Sequence, residues 1–135
     1  MSSEGEKPMD LREISVSAFA YLGDCVLELM VRERLVLSGL AKSANLNRAA
    51  LQYVCAAAQA EAMERILPVL TEEENAYYHR GRNSGHLNVP KSASPAQYRT
   101  ATGMEVLFGY LHLSGQAERQ AELFSLAYPA ENFSN

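Results

Sequence analysis

Apolar residues recur at helical spacing along almost the whole chain, and this periodicity constrains the fold more than any other feature of the sequence. The periodic stretches are separated by short segments containing Gly, Pro or Ser, which are residues that end helices. No stretch alternates between apolar and polar residues in the manner of a strand. The sequence therefore predicts an all-α fold, with helices over about residues 17–38, 44–67, 71–81, 94–113 and 116–128.

Two of these helices carry a capping box at their start. Thr71 is followed three residues later by Glu74, and Ser94 is followed in the same way by Gln97. In each pair the two side chains can satisfy the free backbone donors of a first helical turn. Residues 82–94 lack periodicity and form the longest predicted loop, a kind of segment in which functional residues are common.

Length and composition indicate one globular domain. The 135 residues are 47% hydrophobic and 21% charged, which is typical of a globular protein. We assign residues 15–128 to this domain and regard residues 1–14 and 129–135 as tails. No apolar stretch is long enough to span a bilayer and the N-terminus has no signal-like segment, so we expect a cytoplasmic protein with no membrane partner. Cys25 and Cys55 lie in apolar helical patterns without metal or redox spacing, and we expect both to be reduced core residues.

Charge is distributed unevenly along the chain. The net charge of −4 argues against a nucleic-acid partner, because binding to phosphates needs a positive field. From residue 75 to residue 104, however, there is no Asp or Glu. Basic and polar side chains of this segment could bind RNA phosphates or reach sugars and base edges. The alternative for Arg80 and Arg82 is that they are solvent-exposed cations at the C-terminal end of a helix, where positive charge is favourable. The candidate RNA-binding residues are Arg80, Arg82, Asn83, Lys91, Tyr98 and Arg99, with His86 as a candidate auxiliary contact.

The first predicted helix carries an acidic strip. Asp24, Glu28 and Arg32 follow one another at four-residue spacing, which could be no more than a solvated strip with a Glu28–Arg32 ion pair. Gly23 favours a functional or packing role, because glycine in a helix interior costs about 1 kcal/mol relative to alanine. The other positions are largely apolar, so we expect this helix to be largely buried. Its broad apolar face comprises Phe19, Leu22, Val26, Leu29, Met30 and Leu37.

Glu105, in the fourth predicted helix, is a stronger candidate for a functional acid than the strip on the first helix. It is the only formally charged residue between Arg99 and the end of its helix, and a carboxylate in such apolar surroundings must be protonated, paired or bound to a cation. Gly103 and Gly109 flank it and would let another helix approach closely. If Asp24 faces Glu105, two hard oxygen ligands meet, which suits Mg²⁺ and hydrolysis of a phosphodiester.

Two segments resemble the signatures of the ribonuclease III family. Residues 20–29, Ala-Tyr-Leu-Gly-Asp-Cys-Val-Leu-Glu-Leu, resemble the segment whose Leu-Gly-Asp core carries a catalytic aspartate, and Asp24 matches that aspartate. Residues 101–110, Ala-Thr-Gly-Met-Glu-Val-Leu-Phe-Gly-Tyr, resemble the second signature, whose glutamate is a metal ligand matched by Glu105. The resemblance implies the family's all-helical endonuclease fold.

Other positions are similar to the smaller branch of the family, Mini-ribonuclease III. Classical members have two further acids, and Ala20 and Thr102 stand at those positions here, so the acidic quartet is reduced to a pair as in that branch. Glu28 matches neither position but is a candidate auxiliary residue one turn from Asp24. The chain ends soon after its last helix, so we expect no double-stranded-RNA-binding domain. The segments that match the branch are Arg80-Gly81-Arg82-Asn83, Pro90-Lys91 and Tyr98-Arg99.

The resemblance also implies partners and chemistry. It implies a homodimer whose subunits form a valley for duplex RNA, recognised by A-form shape rather than by sequence. Asp24 and Glu105 would be catalytic and hold Mg²⁺, and the products would carry 5′-phosphate and 3′-hydroxyl ends. In the smaller branch the implied substrate is precursor 23S ribosomal RNA, cut at the duplex that joins its two ends. Whether a ribosomal protein assists is left open.

Two other functions stay open at this point. A non-catalytic dimer that docks on structured RNA or on ribosomal proteins is conceivable because two acids are missing. Retention of both Asp24 and Glu105 favours the enzyme, since a buried glutamate without a cation would be costly to keep. A helical oligomerisation domain would explain the apolar periodicity but not the basic segment.

Overall fold

All regular secondary structure in the described part of the chain is helical, as predicted. The computed structural model describes residues 10–39, 42–84 and 94–130. The elements are a 3-10 turn at Leu11–Glu13, α1 at Val16–Leu37, α2 at Ser43–Val54, α3 at Ala56–Ile66, a 3-10 turn at Leu67–Val69, α4 at Glu72–Arg82, α5 at Pro95–Leu113 and α6 at Ala117–Ala127. None of the helices in these ranges has the length and hydropathy needed to cross a membrane.

Helix α5 is the centre of the fold. It is buried from Ala101 to Leu111 except at Glu105, and it packs against α1, α3, α4 and α6. Burial of each large apolar side chain stabilises the fold by roughly 1.5–3 kcal/mol, so the core holds α5 firmly between its neighbours. The fully buried large apolar side chains include Phe19, Leu27, Met63, Ile66, Met104, Leu107, Phe108, Leu111, Leu123 and Phe124.

The predicted helix starts are confirmed. The Thr71 side chain accepts a hydrogen bond from the Glu74 backbone N–H at 3.1 Å, and the Glu74 carboxylate accepts one from the Thr71 N–H at 2.9 Å. Ser94 and Gln97 form the same reciprocal pair at the start of α5. These boxes replace the helical partners that first-turn donors lack. The glycines that end α1 and α5 have left-handed backbones, with φ of +100° at Gly39 and +72° at Gly115.

The prediction of one helix over residues 44–67 is wrong, because the chain breaks at Cys55. This residue has an extended backbone, with φ −72° and ψ 156°, and separates α2 from α3. The break removes the helical acceptor role of the Tyr53 carbonyl. The Tyr128 hydroxyl donates to that carbonyl at 2.8 Å, so a contact from the far end of the chain satisfies it.

The predicted burial of both cysteines and of most of α1 is also wrong. Cys25 and Cys55 are free but exposed. Helix α1 buries one stripe against the core, while Leu29 is 57% exposed and Leu37 is 83% exposed. Within residues 10–39, 42–84 and 94–130, no other element covers this exposed side of α1. The residues of its buried stripe are Phe19, Gly23, Val26, Leu27, Val31 and Leu35.

Candidate active site

Asp24 and Glu105 come together where α1 crosses α5. A Cβ atom built on Gly23 would lie 1.6 Å from the Glu105 carbonyl oxygen, and one built on Gly109 would lie 2.2 Å from the Phe19 carbonyl oxygen. The two helix backbones are therefore in direct contact, which only glycine permits at these positions. Asp24 directly follows one of the glycines, so the crossing brings its carboxylate to Glu105. The sequence-based expectation that the glycines near Glu105 admit another helix is confirmed.

The carboxyl groups of Asp24 and Glu105 are close enough to influence each other's ionisation. Glu105 is half-buried, whereas Asp24 is exposed at the mouth of the site. Burial, and then the charge and hydrogen bond of Asp24, raise the pKa of Glu105 to about 8. At neutral pH two carboxyl groups this close share one proton unless a cation lies between them.

The chemistry of this pair fits a hard divalent cation. Carboxylate oxygens are the ligands that Mg²⁺ prefers, and Mg²⁺ commonly binds one or two protein carboxylates while water and substrate phosphate complete its shell. Among the described residues, no third His, Cys, Asp or Glu joins the pair to form a larger ligand cluster. Asp24 and Glu105 could therefore hold one cation between α1 and α5, with room for further ligands from solvent or substrate.

Glu28 is engaged with its own helix. Its carboxylate accepts a hydrogen bond from Arg32 at 2.9 Å, the four-residue pair that the sequence suggested, and both side chains are exposed. The positions of the two missing family acids carry no substitute acid. Thr102 is buried and its hydroxyl donates to the Tyr98 carbonyl at 3.0 Å, while Ala20 is half-buried.

The candidate RNA-binding residues in the described ranges gather at the end of α4 and the start of α5. Arg82, Asn83 and Arg99 are exposed, and Tyr98 is half-buried. Lys91 and His86 lie outside the described residues. The end of α4 packs on α5 at Gly103, one turn after Arg99, so the two groups belong to neighbouring parts of these helices.

Arg80 differs from the other candidates because its side chain folds back on the protein. Its guanidinium lies 5.2 Å from the centre of the Tyr77 ring and donates to the Ile14 carbonyl at 3.4 Å. Such contacts tie α4 to the segment that precedes α1. The three-residue spacing puts Tyr77 and Arg80 on one face of their helix, but the sequence gave no signal for the contact with Ile14.

The third helix was predicted to end at about residue 81, and Gly81 lies in the last turn of α4, where it packs on α5. A Cβ atom there would lie 2.8 Å from the Gly103 Cα and 2.7 Å from a Val106 methyl carbon. Gly103 in turn receives the ring of Tyr78. A glycine near the end of a predicted helix signals a stop, and only the tertiary contact shows the packing role.

Comparison with known proteins gives a consistent picture. A family model described as Ribonuclease III domain matches residues 17–116. A Mini-ribonuclease 3 of Symbiobacterium thermophilum is 49% identical over 108 residues, which are 80% of this chain and 83% of the relative. A Mini-ribonuclease 3 of Enterococcus faecalis is 44% identical over 118 residues, covering 86% of this chain and 89% of the relative.

A solved structure shares the fold. The X-ray crystal structure of a protein from Fusobacterium nucleatum superposes with a TM-score of 0.82 at 26% identity, covering 92% of this chain and 99% of that one. These similarities extend over the two segments that contain Asp24 and Glu105. They confirm the family that the two signatures indicated. The chain belongs to the ribonuclease III family, with Mini-ribonuclease 3 proteins among its relatives, and is a ribonuclease.

Proposed function

We propose that this ribonuclease is a Mg²⁺-dependent endonuclease that cuts double-stranded RNA, with Asp24 and Glu105 as its catalytic metal ligands. The observation that carries the proposal is the crossing of α1 and α5, where Gly23 touches the Glu105 backbone and Asp24 lies close enough to Glu105 to raise its pKa. A fold does not keep two acids in contact in a partly buried site without cost, because one of them must hold a proton or share a cation. In an RNA-cutting family, a divalent cation is the natural occupant.

The chain's own residues would bind the cation and orient the RNA. Asp24 and Glu105 supply two anionic oxygens from helices whose backbones touch, so their positions are fixed before the substrate arrives. Bound Mg²⁺ supplies Lewis-acid polarisation of a phosphodiester oxygen and lowers the pKa of water. Arg82 and Arg99 are exposed, and their guanidinium groups would bind phosphates of the RNA.

The proposed substrate is duplex RNA, and specifically the paired ends of precursor 23S ribosomal RNA in the cytoplasm. Cationic and amide side chains at the end of α4 and the start of α5 suit the phosphates and 2′-hydroxyls by which A-form RNA is recognised. The assignment to ribosomal RNA rests on the similarity to Mini-ribonuclease III. Lys91 belongs to the proposed RNA surface on sequence grounds alone, as does His86 in an auxiliary role.

The proposed assembly is a homodimer formed through the uncovered side of α1. Tyr21 is 85% exposed on that side, Cys25 follows one turn later, and Leu29 is 57% exposed after a further turn. Apolar residues at four-residue spacing on an uncovered helix face suit a self-complementary contact between two copies. A ribosomal protein is a second partner to be tested through its effect on cleavage.

The test of the enzymatic proposal compares duplex RNA cleavage by the original protein, Asp24→Asn and Glu105→Gln, with Mg²⁺ and with EDTA. Products are resolved on a denaturing gel, and their ends are assigned by their sensitivity to a 5′-phosphate-dependent exonuclease. We expect Mg²⁺-dependent cutting that both substitutions abolish, while RNA binding on a native gel persists. Glu33→Gln is the matched control, because Glu33 is an exposed acid on the same helix.

Each other outcome has a definite meaning. Cutting in EDTA, or by either variant at the original rate, would remove the carboxylate pair from catalysis. Retardation of both a generic duplex and the paired ends of precursor 23S RNA without cutting would identify a non-catalytic RNA-binding dimer. Equal cutting of all duplexes would support the nuclease and count against the ribosomal precursor as its particular substrate.

Glu28→Gln is expected to lower the rate less than tenfold, because Glu28 is already paired with Arg32.

A further inference from the structure

The α1–α5 crossing is built from two reciprocal glycine contacts. Gly23 of α1 lies on the backbone of Glu105, and Gly109 of α5 lies on the backbone of Phe19 and near the Gly23 nitrogen. Phe19 and Gly23 are four residues apart, as are Glu105 and Gly109, so each helix contributes one glycine and one carbonyl on the same face. The contact therefore has two points, which fixes both the separation and the rotation of the helices.

This arrangement differs from ordinary helix packing. Interaxial distances usually depend on the side chains at the contact, which can shift rotamers when a neighbour moves. Here the atoms opposed to each glycine are backbone carbonyl groups, which belong to the hydrogen-bonded ladder of the other helix. Backbone atoms in a helix yield much less than side chains, so the separation of the axes is set by a rigid contact.

The rigid contact lies directly beneath the carboxylate pair. Asp24 is the residue after Gly23, and the backbone group that Gly23 touches is that of Glu105 itself. Few side-chain torsions separate the touching backbones from the carboxylate oxygens. Any change in helix separation is therefore passed to the distance between the two carboxyl groups.

We propose that Gly23 and Gly109 are positioning residues for the metal ligands, holding the two carboxylates at the separation that one divalent cation requires. This inference rests on the proposed metal site of Asp24 and Glu105. Mg²⁺ demands near-ideal octahedral geometry with short bonds, so a small increase in carboxylate separation costs affinity. The glycines thus serve the site as well as the core.

The two glycine contacts predict that alanine at Gly23 and alanine at Gly109 will separate α1 and α5 by different amounts. A Cβ at Gly23 falls about 1.4 Å short of the 3.0 Å that real Cβ atoms keep from other heavy atoms, while one at Gly109 falls about 0.8 Å short. Gly109→Ala should therefore separate the helices less than Gly23→Ala. Both alanines increase intrinsic helix propensity, so a loss of metal affinity cannot come from weaker helices.

The experiment measures direct binding of Mn²⁺, used as the probe ion, by calorimetry and by electron paramagnetic resonance, without RNA. We expect Gly109→Ala to raise the dissociation constant about tenfold or more, and Gly23→Ala to raise it further. Leu123→Ala is the control, because it removes a fully buried side chain from α6 and destabilises the core away from this crossing. Its Mn²⁺ affinity should stay within about twofold of the original, the scatter expected where no ligand moves.

A second variant keeps the proposal testable if the alanines do not fold. Glu105→Asp retains the charge and removes one methylene group from a half-buried side chain. Because the touching backbones cannot move closer to compensate, we expect about tenfold weaker Mn²⁺ binding or worse. Mn²⁺ affinity unchanged in Glu105→Asp, or in a folded Gly109→Ala, would overturn the inference. Absence of Mn²⁺ binding by the original protein would instead overturn the proposed metal site on which it rests.

Discussion

Glu105 gives the metal-free protein an unusual pH dependence. Burial and the neighbouring Asp24 raise its pKa to about 8, compared with the ordinary value of 4.5. Between these two pH values the folded protein holds a proton that the unfolded chain has released. The free energy of unfolding without metal therefore falls as the pH rises from about 4.5 to about 8. Above this range, Glu105 causes no further change in stability.

The first prediction concerns Glu105→Gln, which removes this titration. In EDTA, the variant should become more stable than the original protein as the pH rises, by an amount on the order of 1–3 kcal/mol at pH 9. The measurement is urea unfolding followed by circular dichroism at pH 5, 7 and 9. Mg²⁺ should narrow the difference at high pH, because bound cation stabilises only the ionised pair. Parallel stability curves for the two proteins would contradict the coupling between the acids.

The two acids stand out in the sequence for a physical reason. Glu105 is a lone charge in an apolar helix, and Asp24 follows a glycine that a structural helix would avoid. Each anomaly costs free energy, and such costs concentrate at functional sites. Arg80 carried no anomaly of this kind; its spacing from Tyr77 allows the two side chains to meet, but nothing in the sequence favoured that contact over one with RNA.

The second prediction separates Arg82 from Arg80. Arg82→Ala should weaken binding to many duplexes alike and reduce the slope of log affinity against log salt by about 1, because one phosphate contact is lost. Arg80→Ala should instead lower stability by about 0.5–1 kcal/mol through loss of its contact with Tyr77, with a smaller change in slope. Fluorescence anisotropy over a salt series and thermal unfolding measure the two effects. Equal salt slopes for Arg82→Ala and the original protein would remove Arg82 from the RNA surface.

At the scale of elements, helix boundaries were predictable wherever a local signal exists. The capping boxes at Thr71 and Ser94 lie where the sequence predicted them, because both partners of each box are within three residues. The break at Cys55 had no such signal, since neither Gly nor Pro stands there. The Tyr53 carbonyl next to this break accepts a hydrogen bond from Tyr128, seventy-five residues away in the sequence. No local sequence pattern can reveal such a distant partner.

The third prediction concerns the ion pair between Glu74 of α4 and Arg119 of α6, called the clamp below. Arg119 donates to both carboxylate oxygens of Glu74 at 2.8 Å, and the Glu74 side chain is only 4% exposed. Arg119→Ala would leave this carboxylate buried without its partner and should cost about 3 kcal/mol of stability. Glu122→Ala is the matched control, because it removes the exposed partner of the same arginine and should cost less than about 1 kcal/mol.

The clamp also has a defined pH dependence. Hydrogen bonds from the Arg119 guanidinium lower the pKa of the Glu74 carboxyl below its ordinary value of 4.5. The stabilisation is therefore complete above about pH 4.5 and is lost as the pH falls through the lowered pKa. Urea unfolding at pH 7 and pH 3 should show the gap between the original protein and Arg119→Ala closing in acid. A gap that stays constant would mean that Arg119 acts through packing alone.

At the scale of the whole molecule, the exposed side of α1 was not predictable from periodicity. Helical spacing identifies which residues share a face, but the number of faces that neighbours cover depends on the tertiary arrangement. Leu29 and Leu37 were expected in the core, yet only the stripe that faces α5 and its neighbours is buried. If the proposed nuclease cuts both strands of a duplex, a symmetric contact along this uncovered side would supply a second active site.

The last prediction tests that contact. Tyr21→Arg should weaken the proposed homodimer by about a hundredfold or more, because a charge replaces the most exposed large aromatic side chain of the proposed interface. Sedimentation equilibrium measures the dissociation constant, and Leu51→Arg is the control, since Leu51 is a similarly exposed apolar residue on α2. The monomeric variant should keep its fold and its Mn²⁺ site, because Asp24 and Glu105 belong to one chain, while cleavage of both strands in a single encounter should be lost. A Tyr21→Arg protein that dimerises as well as Leu51→Arg would place the interface elsewhere, and the pairing of two active sites would then need another surface.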